Sequence, residues 1–350
     1  MSYIKMTPYL SSKIKIISFI CMSVVLYIHA GFEGPDIPEL SLTIQQCISG
    51  ICGRFAVPMF FCISGFLYFH NVYSVKDVKL KIFKRFRTLF IPFVIAACIA
   101  PLTILLIEKL PGASSFMVDS FFKNFNFSFS NLFWSLFICA EGKNSPWATH
   151  LWFLRDLIAI VLTTPVAFYP YKKNCLHWFA LILLAVLFLF DISFFRSMFF
   201  FYAGPVVVAS SEAINRCALT QRIINVLALC VFAVFSILFV FFDNHSPVVD
   251  IMAAISGAFS IWLFFDSSIL AKMCSTNLPA FISFTFFVYL YHDPLIIIIK
   301  KVIVFVLGKN VMGYTLGYLF APPVVFLILY TIGRFAKERF RYYGLLVGGR

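Results

Sequence analysis

The sequence predicts an all-α membrane protein, a polytopic bundle of about ten transmembrane helices with both termini in the cytoplasm. Three observations carry that expectation. The 350 residues are 61% hydrophobic, 19% aromatic and only 12% charged, where a soluble domain is about a quarter charged. The mean hydropathy is +0.94, and phenylalanine alone supplies 46 residues. The apolar residues gather into runs of about 20, the length that crosses a hydrocarbon core of about 30 Å.

The runs fall at 14–31, 52–70, 88–107, 150–169, 175–190, 195–211, 223–242, 248–266, 279–299 and 311–333. Within the first, the apolar core IISFICMSVVLYI follows Lys5, Lys13 and Lys15, as in a signal peptide, but Ile28 suits poorly the place two before a cleavage at Ala30. It is read as an uncleaved first span. The short run 131–140 cannot span and is expected at the interface. The stretch 108–149, rich in Phe and Ser, is expected as an outward lid or interfacial segment.

Orientation follows from the connecting segments. Residues 71–88 hold six Lys and Arg against Asp77, so they face the cytoplasm. Residues 31–50 hold Glu33, Asp36 and Glu39 with no Lys or Arg, so they face outward. Alternation then places Lys172–Lys173, Arg216, Arg222, Lys272 and the basic C-terminal tail inside. Lys300, Lys301 and Lys309 are the misfit, assigned to the outer phosphates or to a misplaced boundary. The net charge of +13 is therefore orientation charge, not a nucleic-acid surface. The ten cysteines are scattered through the apolar runs without metal-ligand spacing and are read as small buried hydrophobes. A single membrane domain over 1–350 is expected, with no metal.

Charges inside a membrane cost a few kcal/mol each and point to function. Here they are His29, Arg54, Arg155, Asp156 and His292, with His150, Asp191 and Arg196 near span ends. At 1.5 Å per residue, His29 lies about 21 Å in from Lys15 and His292 about 20 Å in from Pro279. Arg54 opens a span that descends from the outer side, as do His150, Trp152 and Arg155. Four spans thus bring polar groups to one outer-half layer. Arg155 and Asp156, as neighbours in sequence, are expected on different helix faces. The Ser64–Gly65 step is expected as a close helix contact.

A histidine can take the proton of an attacking hydroxyl, and a guanidinium can stabilise an oxyanion or grip a phosphate or carboxylate. Together, His29 and Arg54 suit acyl transfer to an alcohol. No G-x-S-x-G, H-E-x-x-H or Walker sequence offers another mechanism.

Four blocks carry a family resemblance. SFICMSVVLYIHA ends in His29, RFAVPMFFCISGFLYF begins at Arg54, HLWFLRDLIAIVLTTP begins at His150, and FFVYLYHDPLIII contains His292. In this order they resemble the acyltransferase 3 family of integral membrane proteins, which O-acylate bacterial envelope glycans. The resemblance implies catalytic roles for His29 and Arg54 and substrate-binding roles for Trp152, Arg155 and His292. It implies acetyl-CoA or a similar acyl-CoA as donor from the cytoplasm. The implied acceptor is a sugar hydroxyl of a lipid-linked or cell-surface glycan such as the O-antigen of lipopolysaccharide, at the bacterial inner membrane. One departure stands out. The family's Asp-x-x-Arg element before the first histidine is replaced here by Lys15 and Ser18, so the donor would be handled by Lys13, Lys15 or the basic 76–87 segment. The competing reading is a transporter or flippase of lipid-linked sugars or small acids, which inverted repeats and broken helices would favour.

Overall fold

Each of the ten apolar runs forms a helix. The computed structural model describes residues 5–108, 128–140, 145–190, 193–242, 245–266, 270, 274 and 277–349, and no strand occurs among them. In chain order the helices are α1 (Pro8–Ala30), α2 (Glu39–Gln45), α3 (Ile51–Phe69), α4 (Val75–Arg85), α5 (Ile91–Glu108), α6 (Phe129–Phe137) and α7 (Trp152–Lys172). They continue as α8 (Asn174–Phe188), α9 (Ser193–Ile214), α10 (Ala218–Phe241), α11 (Pro247–Phe264), α12 (Thr285–Leu307), α13 (Val311–Arg339) and the single turn α14 (Tyr343–Leu346). Among the described residues, 8 helices are long and apolar enough to cross a membrane by length and composition. The other two expected spans are α8, which has only 15 residues, and α12, which is long enough but carries Asp293, Lys300 and Lys301. Asp191, Lys272 and most of the 108–149 segment lie outside the described residues.

The boundaries correct several expectations. Residues expected as the acidic outer loop contain α2, and a π-helical turn over Gln46–Gly50 joins it to α3. The basic segment expected as a loop is helix α4, joined to α5 by a second such turn over Phe86–Phe90. Asp77 starts α4 by accepting from the backbone N–H groups of Tyr73 and Ser74, and the Ser74 hydroxyl takes the N–H of Asp77. That is a reciprocal cap, which a count of charges cannot reveal. The last correction is α12, which starts after a 3-10 turn at Ala280–Phe284 and reaches Leu307, so Lys300 and Lys301 lie within a helix and not beyond its end. Of the ten cysteines, only Cys21, Cys62 and Cys274 are buried. Apolar residues on lipid-facing helices need no burial against protein.

The chain divides into two compact units. The first comprises residues 1–28, 45–82 and 159–283. Its core is α3 packed against α9 and α11, with α10 on α11 and α8 on α9. The crossing of α3 and α9 is backbone to backbone. A β-carbon on Gly65 would stand 1.7 Å from the Phe201 carbonyl oxygen, and one on Gly204 would stand 2.0 Å from that of Cys62. Only glycine permits this approach, so the expected Ser64–Gly65 contact is present and Phe201 is its partner. Nearby, the Tyr68 and Thr164 hydroxyls are bonded at 2.6 Å, and the Phe69 and Tyr171 rings stack at 4.1 Å.

The second unit comprises residues 29–44, 83–158 and 284–350. Here α12 and α13 pack along their lengths, and α5 lies against α12. Gly308, at φ +88°, makes the turn between α12 and α13, a conformation that costs glycine little. The Asn310 side chain then caps α13 by accepting from the Gly313 N–H at 2.9 Å.

Candidate active site

Three of the six histidines meet in the second unit. His29 comes from the last turn of α1, His150 from the 3-10 turn Thr149–Leu151 that leads into α7, and His292 from α12. The ring centres are 5.0 Å apart for His29 and His292, 4.8 Å for His150 and His292, and 6.4 Å for His29 and His150. His150 and His292 are buried, whereas the His29 side chain keeps 22% of its surface exposed. His29 is thus the most exposed of the three rings.

The surroundings of the three rings differ. His292 Nδ1 sits against its own helix, 3.2 Å from the Val288 carbonyl and 2.9 Å from that of Tyr289. Its Nε2 is buried with no hydrogen-bond partner among the described residues. Each nitrogen of His150 meets an acceptor, Asp293 Oδ2 at 3.2 Å from Nδ1 and the Leu290 carbonyl at 3.1 Å from Nε2. The Tyr289 hydroxyl donates to the His150 carbonyl at 2.9 Å, tying that turn to α12. For His29, Nδ1 is 3.8 Å from Asp293 Oδ1.

Lys300 completes the site. Two turns along α12 from Asp293, its ammonium donates to the His29 carbonyl at 3.2 Å and to the Gly31 carbonyl, and it lies 5.0 Å from the Phe32 ring. A cation on the free carbonyls at a helix C-terminus is favourable. This is where the lysine that fitted no loop belongs. It holds the end of α1 and does not reach for outer phosphates.

Arg54, expected beside His29, is described in the first unit, with its own partners there. Its Nη1 donates to Asp250 Oδ1 at 2.9 Å, its Nε donates to the Gly50 carbonyl at 3.4 Å, and the guanidinium lies 4.0 Å from the Phe239 ring. Arg196 holds the other oxygen of the same carboxylate, Nη1 to Oδ2, at 2.6 Å. Asp250 sits in the first turn of α11, where the helix dipole favours an anion. Arg54 is tolerated in its apolar helix because a carboxylate and an aromatic face receive it.

Arg155 overturns the expectation that it and Asp156 point apart. Its Nε and Nη2 both donate to Asp156 Oδ1, at 2.9 and 2.8 Å, while Nη1 donates to the Ile138 carbonyl at 2.7 Å. The side chain is long enough to wrap back around the helix, so the backbone directions do not decide the pairing. Trp152 is half-buried at the first residue of α7. Lys13, one of the expected donor-binding cations, is buried with its ammonium 2.6 Å from Asp266 Oδ1 and 4.1 Å from the Trp262 ring. Lys15 is exposed, Ser18 is half-buried, and Lys76, Lys79, Lys84 and Arg87 are exposed.

Sequence reasoning missed Asp250 and Asp293, each visible as a charge inside an apolar run, the signal already applied to Arg54. Lys300 was noticed one residue past the 279–299 run but read as a loop misfit.

A family model described as an acyltransferase domain matches residues 14–334, nearly the whole chain and parts of both units. The chain belongs to the acyltransferase 3 family. No curated protein and no solved structure matches it significantly. The imidazole cluster combines a partly exposed ring, His29, with a buried carboxylate, Asp293. It is a multi-pass membrane protein, consistent with its apolar helices.

Proposed function

We propose that this acyltransferase moves an acetyl group from acetyl-CoA to a sugar hydroxyl of a lipid-linked or cell-surface polysaccharide such as O-antigen, with His29 as general base. The observation that carries the reading is the His29 ring, the partly exposed member of a buried histidine cluster in a chain of this family. His29 takes the hydroxyl proton as the oxygen attacks the thioester carbonyl carbon. The tetrahedral intermediate collapses, the carbon–sulfur bond breaks, and the proton passes to the leaving thiolate. The products are the O-acetyl ester and free CoA.

Arg54 is the second essential residue. Preset by Asp250 and Phe239, its guanidinium grips an anionic group of a substrate. Trp152, Arg155 and His292 bind substrate. The basic charge in residues 76–87 supports cytoplasmic entry of the CoA phosphates, with Lys15 on the same side. Both termini lie in the cytoplasm, by the distribution of Lys and Arg among the loops, in the bacterial inner membrane.

The test is mass spectrometry of envelope glycan from cells with and without the protein, and from cells carrying Arg54→Ala. The acetyl increment should appear only with the wild-type chain. A glycan equally acetylated in all three strains would refute the reading.

A further inference from the structure

We propose that Asp293 is the positioning residue of the transfer centre, holding the His29 imidazole with Nδ1 toward its carboxylate and Nε2 toward the acceptor hydroxyl. The inference rests on His29 being the base.

The two oxygens of Asp293 serve two rings. Oδ2 is held by His150 Nδ1 at 3.2 Å and by the Thr149 hydroxyl, which donates to it at 3.3 Å. His150 is itself enclosed, with 1% of its side chain exposed and its second nitrogen against the Leu290 carbonyl. The carboxylate is therefore fixed from the α7 side, and Oδ1 is left facing His29 Nδ1 at 3.8 Å. That separation is within ion-pair range and longer than a hydrogen bond, as is common for catalytic contacts before substrate binds.

The charges around His29 give the carboxylate its purpose. Lys300 holds the His29 carbonyl from α12, while His150 and His292 present their rings. A second positive charge on His29 would form beside that ammonium at the moment the hydroxyl proton arrives. Asp293 compensates it, and selects the tautomer whose Nε2 carries the lone pair. In the step itself the hydroxyl proton moves to His29 Nε2 and then to the CoA thiolate. Asp293 neither gains nor loses a proton. A lone structural pair with His150 would require only one of its oxygens.

The test uses inverted membrane vesicles from cells that make the glycan, with radiolabelled acetyl-CoA titrated against each full-length variant at equal folded protein. Asp293→Asn should lower the maximal rate about 10–100-fold while the KM for acetyl-CoA stays within about twofold, because a positioning group acts on the transition state. Asp293→Glu, which keeps the charge, should recover part of the loss. His150→Gln, which loosens the carboxylate without removing it, should lose less of the rate than Asp293→Asn does. Should Asp293→Asn not accumulate, the amide pair His150→Gln with Asp293→Asn supplies a carboxylate-free protein and must show the same loss. A full rate in the Asn variant, a loss confined to KM, no advantage of Glu over Asn, or an equal loss in His150→Gln would each overturn the proposal. His29→Ala at full rate would instead remove the base assignment beneath it. An inactive His29→Ala beside a fully active Asp293→Asn would remove only the role of Asp293.

Discussion

The rings of His29 and His292 lie 5.0 Å apart with their planes crossed at 69°. One belongs to the first long helix of the chain and the other to its penultimate one. His292 Nε2 is buried without a hydrogen-bond partner among the described residues. Such an atom costs about 1–3 kcal/mol. We predict that His292→Leu leaves the Tm in detergent unchanged or raised while lowering acetyl transfer about tenfold, since replacing an unsatisfied group by an apolar one of similar size is neutral to stabilising. A lower Tm with full activity would make His292 purely structural.

Lys300→Met removes the cation from the carbonyls of His29 and Gly31. The expected cost is about 1–2 kcal/mol for a partly buried C-terminal cation. The transfer rate should fall with it, because His29 sits in the turn that loosens. Thermal unfolding and vesicle transfer assays read the two effects, and Lys300→Arg should preserve most of both. An unchanged Tm would show that the cap is not energetically significant.

Gly65→Val drives a side chain into the Phe201 carbonyl, where even a β-carbon would stand 1.7 Å away. Helix backbones cannot yield that much within a packed crossing, and ordinary overpacking alone costs about 1–3 kcal/mol. The variant should fail to accumulate as a monodisperse protein in detergent, whereas Ser64→Ala should elute as wild type. Normal accumulation of Gly65→Val would contradict the described crossing of α3 and α9.

Cys217, exposed in the connection between α9 and α10, reports orientation. The Thr220 hydroxyl and nearby backbone N–H groups hold its thiol below the ordinary thiol range. A lowered value means more thiolate near neutrality, hence faster alkylation, slowing as the pH falls through that lowered value. A membrane-impermeant maleimide should label it in inverted vesicles and not in intact spheroplasts. Labelling in spheroplasts would reverse the proposed topology.

Much of this architecture is legible from apolar run length, because a bilayer of fixed thickness demands it. All ten runs are helices, and the equal depths inferred for His29 and His292 anticipate two rings in contact. What the sequence hid is pairing. Asp293 adjoins His292 in sequence, yet its partners His29 and His150 come from distant segments, and nothing in periodicity joins them. Asp250 was passed over although it receives Arg54, because an acidic residue at the start of an apolar run reads as a loop residue. The helix α4 was hidden by its charges. Its start depends on Asp77 and Ser74, a local cap independent of hydropathy.

The most direct measurement is the rate of acetyl transfer from acetyl-CoA to endogenous glycan in vesicles carrying folded His29→Ala. A base acting in the transition state contributes about 100- to 10,000-fold, and the account predicts a loss of that size with the protein still inserted. A rate within about threefold of wild type, too small a change for a lost general base, would contradict it.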